Sequence, residues 1–333
     1  METQNFNFTI LHDKFNNVTF NAACDYMTQY FYPLDDGHHG ILTSDGPQVI
    51  EQAVLNSVYL NRVPESVKKW YYQKYNTIRR LVCNVNSPVI TETEFNIAPK
   101  MLHTVEDYNS IPDSDKENVD FMLDYMRTIL CNNNEDQFEY LVKWYANMAR
   151  GNKNDSALYL KGPQGVGKST ISEFIRSYVI GDRLSYEAPG HALSSNFNAQ
   201  LEGRIYVYFE ELQNVSIREW ATMSSKLKQI VTSDKITIEK KGKDSYTVNS
   251  CANYVLNSNH DSIKDDNGRR FFICDLSTIH KNDHNYFARL KNKCFNIETG
   301  KAFFCYLNSI DLTGYYSQRM PVTESKKIVI LKL

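Results

Sequence analysis

The sequence predicts an α/β fold, a parallel sheet flanked by helices around a phosphate-binding loop, on three observations. The run GPQGVGKST at residues 162–170 fits G-x-x-x-x-G-K-[ST]. It follows a short apolar run, SALYLKG (156–162), and leads into STISEFIRSYVI (169–180), where Ile171, Phe174, Ile175, Tyr178 and Val179 recur at the spacing of one helix face. Two more runs, RIYVYFEEL (204–212) and ANYVLNSN (252–259), have the unbroken apolar texture of strands buried on both faces, and each ends in polar residues.

Glycines in such a loop let the backbone curl until successive N–H groups point into one hollow, which suits a triphosphate. Gly162, Pro163, Gln164, Gly165, Val166, Gly167, Lys168, Ser169 and Thr170 are therefore the expected nucleotide-binding residues, with ATP as the ligand. Lys168 is expected to reach the β- and γ-phosphate oxygens, and Ser169 to offer its hydroxyl to Mg²⁺. A phosphate cradle also needs a metal site and a group that positions attacking water. Glu210 is expected to hold Mg²⁺ through water and Glu211 to polarise the nucleophile. Downstream, Asn257, Ser258 and Asn259 close an apolar run, where an amide can bond the attacking water or the γ-phosphate.

At 333 residues the chain has room for two domains, or for one with helical additions. A formal net charge of −2 argues against whole-molecule attraction to nucleic acid, so a polyanion site must be a local concentration of Lys and Arg. The seven cysteines are scattered, odd in number and contain no C-x-x-C, which points away from a zinc module or a disulfide framework and toward a reducing compartment. METQNFNFTI lacks the design of a signal peptide. No stretch approaches the roughly 20 apolar residues of a membrane span. The expectation is an intracellular protein, in host cytoplasm or at a viral replication site, with no membrane partner.

Residues 1–110 form an N-terminal accessory region of unassigned role, with polar turn clusters and no repeat. His38 and His39 sit in an Asp/Gly turn without partners at ligand spacing and read as a solvated loop. SVKKWYYQKYNTIRR (66–80) interleaves Lys and Arg with Trp70, Tyr71, Tyr72 and Tyr75. It reads as an amphipathic helix packing its aromatics inward, and secondarily as a platform for single strands. From 111 the texture turns helical, with Phe121, Met122, Tyr125, Met126, Ile129 and Leu130 on one face, and a second helix follows over 136–150. The expected organisation is a helical subdomain (a collar for oligomerisation) over 111–155, an ATPase core over 156–280 and a helical extension over 281–333.

Beyond the carboxylates, a helix over 216–233 precedes a hairpin over 234–250, with Ile236 and Ile238 on one arm and Tyr246 and Val248 on the other. Lys240, Lys241 and Lys243 cluster at its tip, either blunting a sheet edge or meeting nucleic-acid phosphates. Arg269 and Arg270 precede the apolar run FFICDL. They read as structural ion-pair partners or as arginine fingers supplied to a neighbouring subunit.

The ordered blocks GPQGVGKS, YFEEL, KLKQIVTSDKITIEKKGKDSYTV, and NYVLNSN followed by GRRF resemble the superfamily 3 helicases of viruses and plasmids. Within them the chain is most similar to poxvirus-type primase-associated helicases and their phage and plasmid relatives, over roughly 111–327. The resemblance implies an AAA+-type core in a hexameric homo-oligomeric ring, moving 3′→5′ on single-stranded DNA beside a primase or polymerase of the same replication system. It further implies Asn259 as sensor, Arg269 or Arg270 as finger, and Lys241 as the main pore contact among the DNA-binding lysines. Residues 1–110 lack the acidic motif of a primase-polymerase, so the chain reads as a helicase segment or as a product encoded apart from its primase. Two rival readings keep the nucleotide site: an RNA-directed NTPase of the same superfamily, and a non-motor switch whose nucleotide controls assembly.

Overall fold

The computed structural model describes residues 19–44, 46–61, 63–74, 77–190, 192, 199–210, 217–239, 245–259 and 269–324. Contacts divide the chain into two compact units, one of Met1–Pro99 with Thr237–Asn249, the other of Lys100–Ile236 with Ser250–Leu333. The division at 99/100 lies upstream of the change in texture near 110. The grouping of 237–249 with the N-terminal residues has no counterpart in the sequence pattern.

The N-terminal unit begins with helix α1 (Phe20–Tyr30), capped by Thr19, whose hydroxyl accepts from Ala22 N. Strands β1 (Phe31–Pro33), β2 (His39–Thr43) and β3 (Gly46–Ile50) form an antiparallel sheet in that order. Helix α2 (Glu65–Lys74) follows, then the short parallel pair β4 (Arg80–Val82) and β5 (Glu94–Asn96). Ala23, Met27, Phe31, Ile41, Leu55, Val67 and Tyr71 make its core, with Trp70 packed against it. The Lys/aromatic stretch thus turns Val67, Trp70 and Tyr71 inward, the amphipathic outcome, while Tyr72 stays exposed.

His39 corrects the expectation of a solvated turn. It opens β2, is only 7% exposed, and its Nδ1 lies 2.9 Å from the Tyr71 hydroxyl. The strand pairs His39 with both Pro33 and Ile50, in the middle of the sheet, and its ring packs beside that of Tyr71, 5.7 Å between centroids. His38 remains at the turn, 3.2 Å from Asp36. Burial pushes the His39 imidazole down to about 4. A folded-state value below the unfolded one makes the neutral ring stabilising above about pH 6.5, with that stability lost as pH falls toward 4. The full swing is on the order of 3 kcal/mol. Melting followed at pH 7 and pH 5 should show wild type losing stability relative to His39→Gln; parallel pH dependence would remove His39 as the cause.

The second unit opens with α3 (Asp113–Tyr125), extended by a wider π-type turn over Met126–Leu130, and α4 (Glu135–Ala149), capped by Asn134. Strand β6 (Ala157–Lys161), helix α5 (Lys168–Phe174) with its π-type continuation Ile175–Ile180, β7 (Ser185–Pro189) and β8 (Tyr206–Glu210) follow. Helix α6 (Ile217–Thr232) then leads to β9 (Lys235–Ile238) and β10 (Tyr246–Asn249), a two-stranded sheet. Within the N-terminal unit the Tyr246 ring packs edge-on to His38, 5.5 Å between centroids. The chain closes with β11 (Asn253–Ser258), β12 (Phe271–Asp275), α7 (His284–Cys294) and α8 (Ile297–Ser309).

Five of these strands form one parallel sheet in the order β12-β6-β11-β8-β7. Its central strands are buried along their length, as unbroken apolar runs demand. Alternation sends Tyr159, Val207, Phe209, Tyr254, Leu256 and Ile273 to one face, under Met223, Leu227 and Val231 of α6. On the other side the Tyr140 ring of α4 lies 4.6 Å from Phe272, and Trp144 Nε1 donates to Ser156 O. Lys153 Nζ donates to the carbonyls of Ile230 (3.3 Å) and Ser233, a cation at the C-terminal end of α6. Among the described residues no helix is long and apolar enough to cross a membrane.

Candidate nucleotide site

Parallel strands all end on one edge, and open α/β sheets place ligands there. The loop after β6, Glu210 at the end of β8, and Asn257 and Asn259 at and just beyond the end of β11 share that edge. Pro163, Gln164 and Gly165 are exposed, whereas Val166 is buried and anchors the loop. Gly167 sits at φ +93°, a left-handed conformation that caps α5, and a Cβ there would meet Cε1 of Phe287 at 2.5 Å. Two further contacts pin the turn. Tyr125 OH donates to Gly167 O at 2.8 Å, and Asn282 N donates to Gly165 O at 2.9 Å. Burial raises the Tyr125 phenol well above its ordinary range, so it stays a neutral donor.

The side chains converge at the mouth of this turn. Lys168 Nζ donates to Gly162 O (2.6 Å), Pro163 O (2.9 Å) and Asn259 Oδ1 (2.6 Å). The Ser169 hydroxyl donates to Glu210 Oε2 at 3.0 Å, and Asn257 Nδ2 donates to Oε1 of the same carboxylate at 3.0 Å. One ammonium, one carboxylate, one hydroxyl and two amides thus come from two strand ends and one helix start. Ser169 and Glu210 are hard oxygen donors at hydrogen-bond separation. That set fits a Mg²⁺ ion that keeps several waters and shares phosphate oxygens. Among the described residues no group of three or more His, Cys, Asp or Glu forms a metal cluster. Nearby, Lys161 and Asp275 face each other at 4.0 Å at the ends of β6 and β12.

The structure brings together Gly162, Lys168, Ser169, Glu210 and Asn259 of the residues expected from sequence, with Thr170 buried in α5 behind them. It does not bring Arg269 and Arg270 to the same place. Arg270 O accepts from Ala157 N, and Phe271 pairs with Ala157, so both arginines lie at the opposite edge of the sheet from the loop. A five-residue strand separates the two edges by about 16 Å. Glu211, Lys240, Lys241 and Lys243 lie outside the described residues. Sequence reasoning missed the contacts made by Tyr125, Asn257 and Asn282. Asn257 alone carried a signal, as a polar residue within an apolar strand.

Residues 160–270 match a family model described as "Family of unknown function (DUF5906)". The chain is also 22% identical over 171 residues to a protein named DNA primase-polymerase from Nitratiruptor phage NrS-1; the match covers 51% of this chain and 23% of that protein. Among solved structures, the apo NrS-1 C-terminal region superposes with a TM-score of 0.69 at 16% identity, covering 92% of this chain and 73% of that one. A second structure of that region, its A form, gives a TM-score of 0.65 with the same coverage. At these identities the likeness speaks to a shared fold.

Proposed function

We propose that this chain is an ATP-dependent DNA helicase of a virus or mobile element, with an AAA+-type core over 156–280 that works in a hexameric ring on single-stranded DNA. The observation that carries the reading is the convergence of Lys168, Ser169, Glu210 and Asn259 on one glycine turn at the C-terminal edge of a parallel sheet. In this reading Lys168 exchanges its carbonyl partners for β- and γ-phosphate oxygens, while backbone N–H groups of 164–168 hold the remaining oxygens. Ser169 and Glu210 hold Mg²⁺, which neutralises phosphate charge when bound. Asn259, already bonded to Lys168, registers the γ-phosphate, and Glu211 orients water.

Arg269 and Arg270, remote from the loop of their own chain, suit a finger delivered to a neighbour's site. Similarity to a phage protein named DNA primase-polymerase supports a setting in viral DNA replication, beside a primase or polymerase. Lys240, Lys241 and Lys243 are proposed as backbone contacts to the threaded strand, which makes binding indifferent to sequence.

ATPase rates with and without single-stranded DNA, alongside particle mass with an ATP analogue, test this reading. The expected result is stimulation by DNA and a ring-sized particle. A monomer whose rate ignores DNA would remove the motor. In Lys241→Ala combined with Lys243→Ala, the ratio of DNA-stimulated to DNA-free rate should fall to about one, with loss of the steep salt dependence of phosphate contacts.

A further inference from the structure

The strand register places a residue with no assigned role against the carboxylate proposed to hold the metal. β11 and β8 pair in parallel with Leu256 opposite Phe209, so the next residues along, Asn257 and Glu210, lie side by side. Side chains at one level of neighbouring strands project to the same face. Asn257 Nδ2 accordingly donates to Glu210 Oε1 at 3.0 Å, while Glu210 Oε2 accepts from Ser169. Asn257 is 1% exposed. Its Oδ1 is buried and has no hydrogen-bond partner among the described residues, which satisfy only the donor half of the amide. A buried amide with an idle oxygen is costly to keep in a strand interior where an apolar residue would serve packing as well.

We infer that Asn257 is a positioning residue for the metal site: it clamps one oxygen of Glu210 so that the other faces Ser169 and the cation between them. Asn259, two residues on, serves Lys168 instead. The two amides at the end of β11 therefore divide the site, one setting the acid and the other the ammonium. This inference rests on the nucleotide-site reading above.

Partners that orient a metal-ligating carboxylate typically change metal affinity by about 10–100-fold when removed. Mn²⁺ is the probe, its binding to protein with ADP followed by electron paramagnetic resonance, and ADP affinity measured separately in EDTA. Asn257→Leu keeps the branched shape and removes the donor; Asn257→Ala is the second variant, for the case that the bulkier Leu does not fold. The expected result is Mn²⁺ affinity lowered about 10–100-fold with metal-free ADP affinity within about twofold of wild type. Wild-type Mn²⁺ affinity in either folded variant overturns the role of Asn257, as does equal loss of metal-free ADP binding, which marks a packing defect. Lys168→Ala is the separate control. If it binds ADP like wild type, the nucleotide-site reading itself fails, whatever Asn257 does.

Discussion

Lys168→Ala should lower ATP turnover by at least about 10²–10³-fold, the effect of removing one pre-aimed donor from a charged transition state. The size follows from how the ammonium is held. Three acceptors, Gly162 O, Pro163 O and Asn259 Oδ1, already fix Nζ at the mouth of the turn, so little reorganisation is needed when phosphate oxygens replace them. Lys168→Arg should fail almost as badly. A planar guanidinium cannot occupy the position of a compact ammonium between two carbonyls of a tight loop. Phosphate release under saturating Mg²⁺ and ATP is the measurement. Turnover within about tenfold of wild type in Lys168→Ala would falsify the site, because Lys168 is the ammonium held at the mouth of the turn by Gly162 O and Pro163 O.

The second large effect concerns folding. In α8, a Cβ added at Gly300 would stand 2.0 Å from the carbonyl oxygen of Tyr178 and 2.6 Å from its carbonyl carbon. That carbonyl is not free to retreat, because His103 Nε2 donates to it at 2.6 Å. The clash is between the Cβ itself and backbone, so no rotamer relieves it. Gly300→Ala should cost about 3 kcal/mol, the upper end for overpacking, read as a shift of the urea midpoint with unchanged slope. A loss below about 1 kcal/mol would mean that α8 slides away from the Ile175–Ile180 turn at little expense. Since that turn continues α5, the helix that starts at the nucleotide loop meets α8 at this close approach, beside the Phe174–Phe303 ring contact at 5.4 Å.

How much of this was legible in sequence depends on which forces write it. β6, β8, β11 and β12 are unbroken apolar runs because both faces are covered, and each was readable. The pairing of β9 with β10 was readable from the alternation of apolar residues along each. In the N-terminal unit the amphipathic α2 was readable, but the sheets were not. Its strands have three to five residues, too short for a period to show, and the burial of His39 depends on pairing with both neighbours.

Within the site, the loop is contiguous and therefore visible as a motif. The acidic end of β8 was visible too. The split of duties between Asn257 and Asn259 is a matter of register between β8 and β11, which no local pattern encodes. The grip of Tyr125 on Gly167 spans 42 positions and depends on how α3 docks.

The membership of Thr237–Asn249 has a consequence for anyone dividing the molecule. The polypeptide passes from one body to the other three times, not once. A gene fragment ending at 99 encodes a body lacking β10 and the second half of β9, and one starting at 100 leaves that segment without the rest of its unit. The N-terminal body is thus written in two separate stretches of sequence, and a fusion made only after residue 99 would not reproduce it.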